Sequence, residues 1–324
     1  MENILITGIT GQDGIFLTHK LINKNKNTLI IGISRQKNSS QFYQKLKSLG
    51  NINVQNIHIL NQDLTNKRSV DLLIKDVKPN RVFNLSGPSS VYESLVDPEK
   101  TVYAVTKIFD NLTSALIENN NFCNFYQASS SEIFCGDENG VIDENSSEQF
   151  NSPYAESKLI NHKKALTLAN QFSWKIVSGI MFNHESEFRG SNYLTSKIIT
   201  GVKNIHSKKM DSLKVGSLDY IRDWSFAGDV MNAVIDLSYN NATGSYVIGS
   251  GAGHSIKEIL DIVFNHYNLN WEKYVHVDKK LLRKGDAKVK ISNPAKIYQD
   301  FGWKTQTTFN DLIKRCIEKN KLID

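Results

Sequence analysis

Two residues four apart, Tyr154 and Lys158 in SPYAESKL, could share one proton-handling task. On a helix they lie on the same face. A nearby ammonium stabilises phenolate, which makes a tyrosine usable as a base near neutral pH. A second candidate is Glu132, at the end of the run QASSSE. It follows FCNFYQA, which reads as a buried strand, and Ser130 and Ser131 stand just before it. A carboxylate at that point either marks a turn or removes a proton from carbon.

A third group is TGITGQDG, with Gly8, Gly11 and Gly14 spaced around Gln12 and Asp13. Glycines between a first strand and a first helix let the backbone approach a pyrophosphate closely. The helix N-terminus there supplies aligned N–H groups. The second apolar run ends in GISRQKNSS, with Ser34, Arg35 and Lys37 where an acid would bind a ribose 2′-hydroxyl. Positive charge at that point suits a 2′-phosphate and predicts NADP rather than NAD. In NQDLTN, Asp63 could accept from an adenine amino group, with Leu64 beside it, or it could cap a helix in competition with Thr65. Leu85 closes the fourth apolar run next to the same expected cofactor site.

The elements that must hold these groups follow from hydrophobic rhythm. Short runs rich in Ile, Leu and Val lie at 3–7, 28–33, 56–60, 81–85, 122–128 and 175–182, with helix-like stretches such as 67–77 and 98–118 between them. Such strands, separated by helices, predict a parallel sheet covered on both faces, the doubly wound, Rossmann-like α/β class. Phe122, Phe125 and Tyr126 read as core. After about residue 183 the rhythm breaks into short mixed elements. The expected division is a dinucleotide-binding domain over 1–182, with about 225–250 returning to its sheet. A smaller mixed substrate-binding lobe is expected over about 183–224 and 251–324.

Composition excludes several other classes. The chain has 324 residues, 40% hydrophobic and 22% charged, with a net charge of +6 and no arginine-rich block. That charge suits an anionic small molecule and gives little support to a nucleic-acid groove. Cys123, Cys135 and Cys316 form no CxxC pair, and the odd count suits a reducing compartment. No apolar run approaches the ~20 residues of a membrane helix. The expected location is the cytoplasm, and no His/Cys spacing predicts a metal site.

TGITGQDG, QASSSE and SPYAESK together resemble the extended short-chain dehydrogenase/reductase family. Adding GIMFNHES, KIITG, RDWSFAGD and FGW, the chain resembles its GDP-mannose 4,6-dehydratase group over nearly its whole length. The resemblance implies that Glu132 is the base that removes the C5 proton of the sugar, with Ser130 and Ser131 as neighbouring hydroxyls. It implies that Tyr154 takes the proton of the 4-hydroxyl while C4 gives hydride to NADP, and that Lys158 supports both tyrosine and cofactor. Water then leaves from C6, the hydride returns there, and a 4-keto-6-deoxy sugar results. Asn183, Lys197, Arg222 and Arg283 are implied contacts of the nucleotide, and His184 reads as structural. A homodimer or homotetramer is implied as well.

The chain also departs from the group. The family threonine is Ser130, AAQSHV is SGPSSV at 86–91, and ESPRRG is ESEFRG with Glu187 and Phe188. The arginine-proline-acid segment is reduced to Arg283 and Asp286 in LLRKGDAKV. Lost long polar side chains would make room for a larger C2 substituent, so the expected substrate is either GDP-N-acetylglucosamine or GDP-mannose. The competing enzyme reading is a 4-ketoreductase or epimerase on the same fold, which has no need of Glu132. A non-catalytic NADP-binding regulator would not need both Tyr154 and Lys158.

Overall fold

The computed structural model describes residues 1–36, 38–134, 140–282 and 285–319. Its strands, in chain order, are β1 (Glu2–Thr7), β2 (Thr28–Ser34), β3 (Ile57–Asn61), β4 (Arg81–Asn84), β5 (Asn124–Ser130), β6 (Val141–Ile142), β7 (Ile176–Met181), β8 (Asn183–Glu185), β9 (Leu213–Val215), β10 (Ile221–Phe226), β11 (Gly244–Ile248), β12 (Gly253–Ser255), β13 (Val275–Val277) and β14 (Val289–Ser292). The helices are α1 (Gln12–Lys24), α2 (Ser40–Ser48), α3 (Lys67–Val77), α4 (Val91–Ser94), α5 (Pro98–Glu118), α6 (Pro153–Phe172), α7 (Leu194–His206), α8 (Ala227–Tyr239), α9 (Ile256–His266), α10 (Ala295–Phe301) and α11 (Phe309–Lys319).

The chain forms two compact units. The first comprises 1–133, 148–181 and 231–246; the second comprises 134–147, 182–230 and 247–324.

Unit 1 is built on a seven-stranded sheet of order β3-β2-β1-β4-β5-β7-β11. The pairings of β1 with β2 and β4, and of β5 with β4 and β7, are parallel. Strand order reverses between β1 and β4, the switch point at which such sheets bind ligands beyond their carboxyl ends. β7 is buried at every position and β5 at all but its first, as expected of strands covered on both faces. Leu5, Val82, Phe109, Leu112, Phe125 and Trp174 belong to one core cluster. Phe122 differs from the expectation: the strand begins at Asn124, and Phe122 remains 41% exposed with its ring edge-on to Trp174 at 5.4 Å.

Local signals fix the helix that matters most. Ser152 accepts the Ala155 N–H, and Pro153 opens the helix, so α6 starts just before Tyr154. Tyr154, Lys158, Asn161 and Ala165 recur on its buried side. Lysine in that stripe costs desolvation that an apolar residue would avoid. Unit 2 carries a sheet of order β12-β10-β14-β6, with β8 also on β10, and a β13-β9 pair. Its core joins Ile198 and Val202 of α7, Leu260 and Phe264 of α9, and Leu312 of α11.

Candidate active site

In unit 1 the turn after β1 is shaped by its glycines. Gly8 has φ +71°, and a Cβ built on it would lie 2.9 Å from the Leu85 carbonyl oxygen at the end of β4. A Cβ on Gly14 would lie 2.3 Å from the Ile9 carbonyl oxygen. Only glycine fits either place. Gly11 is the N-cap of α1, and no side chain caps that end. The backbone of 8–14 therefore forms a cradle at an open helix N-terminus, directly over the switch point, which fits a dinucleotide pyrophosphate. Gln12 is buried in the first turn and donates to Asp13 Oδ1 at 3.2 Å.

Beyond the cradle, Ser34 and Thr10 hydroxyls lie 3.1 Å apart, and the following Arg35 is exposed. Lys37 lies outside the described residues. Asp63 is exposed after β3 and accepts from Thr65 N and Oγ1 at 2.9 and 2.8 Å. Those bonds, chiefly the backbone one, hold its carboxyl below the usual range, and the Arg35 charge adds to the effect. Neither Asp63 nor Thr65 caps α3; Asn66 does, accepting from Ser69 N. Leu64 is buried, and its carbonyl accepts from Asn111 on α5.

The proton-handling residues also belong to unit 1. β5 ends at Ser130, and Ser131–Ile133 form one 3-10 turn that carries Glu132 and packs against α6. The Glu132 amide donates to Ser130 Oγ at 3.3 Å. On α6, the Lys158 ammonium lies 5.7 Å from the centre of the Tyr154 ring and donates to the Ala128 carbonyl at 3.0 Å. Burial pushes Lys158 down to about 8, against the pull of the Asp13 charge, which favours the ammonium. Cys123 is not a rival nucleophile, because burial pushes its thiol up to about 12.

Unit 2 holds the residues expected to contact a nucleotide. Asn183 lies on β8, in register with Trp224 of β10, and is half-buried. Lys197 is exposed on α7. Arg222 is buried, pairs with Asp286 at 2.8 Å and donates to the Ile221 and Lys288 carbonyls. Arg283 lies outside the described residues. His184 Nδ1 donates to the Phe182 carbonyl at 2.7 Å, a structural bond. Among the described residues no cluster of His, Cys, Asp and Glu could hold a metal ion.

A sequence model of the family described as GDP-mannose 4,6 dehydratase matches residues 5–316. The chain belongs to this family. GDP-mannose 4,6 dehydratase 2 of Arabidopsis thaliana is 32% identical, covering 98% of this chain and 86% of the relative. The GDP-mannose 4,6-dehydratase of Vibrio cholerae is 25% identical, covering 98% and 93%. The fold is that of a Thermus thermophilus UDP-glucose 4-epimerase solved with NAD, at TM-score 0.84, 19% identity and 98% of each chain. It is also that of a Bacillus anthracis dTDP-glucose 4,6-dehydratase solved with NAD, at TM-score 0.83, 18% identity and coverage of 99% and 97%.

In this chain the motifs RDWSFAGD and FGW are held together by Asp229. Its carboxylate accepts Gln306 N and Thr307 N at 2.9 and 2.8 Å, and its carbonyl accepts Trp303 Nε1 at 3.1 Å. Asp223 of the same motif accepts from Ser250, Gly251 and Ser292, knotting β10 to β14 and to the turn before β12. Sequence reading singled out Arg222 there and missed both acids, whose partners lie 27 to 78 residues away. The departures at ESEFRG also have a structural reason. Glu187 is buried, and its two oxygens accept Nε and Nη2 of Arg315 at 2.9 and 2.6 Å, while Phe188 is buried too. Both residues belong to the interior of unit 2. Ser90, in the SGPSSV departure, caps α4.

Proposed function

We propose that this protein is a GDP-hexose 4,6-dehydratase working with NADP. One observation carries the reading: Glu132 stands on the turn that ends β5 and packs against the helix bearing Tyr154 and Lys158. A redox pair alone would serve a reductase or epimerase. The added carboxylate serves elimination.

The nicotinamide, when bound, supplies a hydride acceptor that later gives the hydride back. Tyr154, as phenolate beside the Lys158 ammonium, takes the proton of the sugar 4-hydroxyl. Once C4 is a ketone, the C5 proton is acidic, and Glu132 removes it. The departing 6-hydroxyl takes a proton from Glu132 or a neighbouring serine hydroxyl and leaves as water. The hydride returns to C6 and a proton, equal to the one Tyr154 took up, returns to C5, so the net change is the loss of one water, giving the GDP-4-keto-6-deoxy-hexose.

NADP is preferred because Arg35, and no acid, follows β2. The reading assigns Asn183, Lys197, Arg222 and Arg283 to the nucleotide, and the pairing of Arg222 with Asp286 supports an oriented guanidinium there. With Glu187 and Phe188 accounted for by packing, the case for a larger C2 substituent rests on 86–91 and 283–286. GDP-mannose and GDP-N-acetylglucosamine are the two substrates to compare. The reading includes a cytoplasmic homodimer or homotetramer.

The test is Glu132→Gln. In the variant, dehydration should fall by about 10²–10⁴-fold, the usual worth of a positioned acid–base group, while substrate still reduces NADP⁺. A variant that dehydrates at the parental rate would return the ketoreductase or epimerase reading to first place.

A further inference from the structure

Across the centre of the unit 1 sheet, from the carboxyl ends of β1 and β4 to the middle of β5, lies a row of buried polar side chains. Thr7, Asn84 and Gln127 are 0%, 2% and 1% exposed. They are register neighbours, Thr7 with Asn84 and Asn84 with Gln127. Thr7 Oγ1 donates to Asn84 Oδ1 at 2.7 Å, Asn84 Nδ2 donates to Gln127 Oε1 at 2.8 Å, and Gln127 Nε2 donates to the Ala128 carbonyl at 2.9 Å. The preceding positions on these strands are Ile6, Phe83 and Tyr126, so apolar packing alone would favour larger apolar residues here. Three polar groups stand here instead, each with a partner.

The direction of the row is fixed. Ser86 N donates to Thr7 Oγ1 at 3.2 Å, which leaves the Thr7 proton for Asn84. Ser86 Oγ also donates to Asn84 Oδ1, at 2.8 Å. With two hydroxyl donors on Oδ1, the Asn84 amide must present Nδ2 to Gln127. Gln127 then has its oxygen occupied and turns its N–H to the Ala128 carbonyl. The pairing of β4 with β5 ends at Asn84–Gln127, so side chains continue where the backbone ladder stops. The same carbonyl is the acceptor of Lys158 Nζ at 3.0 Å.

Each bond polarises the next, and the positive end of the row faces the carbonyl that the ammonium uses. This disfavours the charged lysine as a helix N-terminus disfavours a cation. We infer that Gln127, backed by Asn84 and Thr7, is a positioning residue for Lys158: it fixes the carbonyl that anchors the amine and turns a positive dipole toward it, easing loss of its proton. The inference rests on the reading that Lys158 serves Tyr154. The titratable groups on α6 itself include Tyr154, Glu156, His162, Lys163 and Lys164; against it stand Asp110 of α5, paired with Lys164, Glu148 beside His162 and Lys163, Glu132 on the turn and Tyr126 on β5, while the charge of Asp13 on α1 acts on Lys158 in the opposite sense.

The test reads Lys158 itself, in the full chain without substrate or cofactor. Protein labelled with [13Cε]lysine is titrated by NMR, and the Lys158 signal is assigned by its loss in Lys158→Met. Gln127→Met should raise the Lys158 midpoint by roughly half a unit or more, and Gln127→Glu further, because it replaces a donor with a negative charge. Thr7→Val, which keeps the shape of the first member, should give a smaller rise. NADP⁺ affinity and circular dichroism identify the folded variants. A Lys158 midpoint unmoved in every folded variant would overturn the inference. Turnover is not read, so failure of the dehydratase reading would leave this result standing, and the converse holds.

Discussion

At the residue scale, the proposed chemistry depends on one buried cation. With Lys158 pushed down to about 8, its ammonium is held below that pH and lost above it. Support for the Tyr154 phenolate is lost with it. The kcat/KM for sugar oxidation, which reports the free enzyme, should therefore fall on an alkaline limb near pH 8. A rate still rising at pH 10 would contradict this role for Lys158, whose ordinary value is 10.5. Tyr154, Lys158 and Glu132 could be read from sequence because their spacing and their place after an apolar run are local. Asn84 and Gln127 could not, because a row across three strands exists only once β1, β4 and β5 lie side by side. Asp63 was legible as a polar turn residue, but its partner Thr65 and the true cap, Asn66, stand within three residues, too close for pattern to rank.

At the element scale, the turn between β1 and α1 tolerates no side chain. Gly14→Ala would set a Cβ 2.3 Å from backbone that cannot move away independently. NADP⁺ binding should weaken by roughly tenfold or more, because a small misplacement of a binding backbone is costly; isothermal titration calorimetry would measure it. In unit 2, the Glu187–Arg315 pair ties the segment after β8 to α11. Arg315→Met would take the guanidinium away from the buried Glu187 carboxylate. Because Arg315 is 30% exposed, the expected loss is roughly 3 kcal/mol, the low end for breaking a buried pair. Urea unfolding would measure it, and a loss below about 0.5 kcal/mol would place the pair among exposed bridges. Helices α3 and α5 run over 67–77 and 98–118, as their periodicity predicts, because each buries one apolar stripe. Unit 2 was less legible: its three-residue strands β8, β9 and β12 carry too few residues to show a period.

At the scale of the whole molecule, acid should loosen unit 1 through His162. Its ring is buried, bonds Ser178 at 2.8 Å, and is held below its ordinary 6.5 by burial and Lys163, partly offset by Glu148. The unfolded chain binds that proton first, so this contribution to stability is complete above pH 6.5 and is lost as pH falls below it. His162→Gln should flatten the decline in melting temperature below pH 6.5, as followed by calorimetry. Among the described residues no helix is long and apolar enough to cross a membrane. The doubly wound sheet was legible because its strands are long apolar runs. The sugar was not, because the residues that would meet it come from segments far apart in sequence. The most direct measurement is mass spectrometry of GDP-mannose, GDP-N-acetylglucosamine, GDP-heptose and a UDP-sugar control, each incubated with the protein and NADP⁺. Loss of one water from a GDP-hexose, with none from the UDP-sugar, is the predicted result. Intact sugars throughout, in protein shown to bind NADP⁺, would contradict the dehydratase reading.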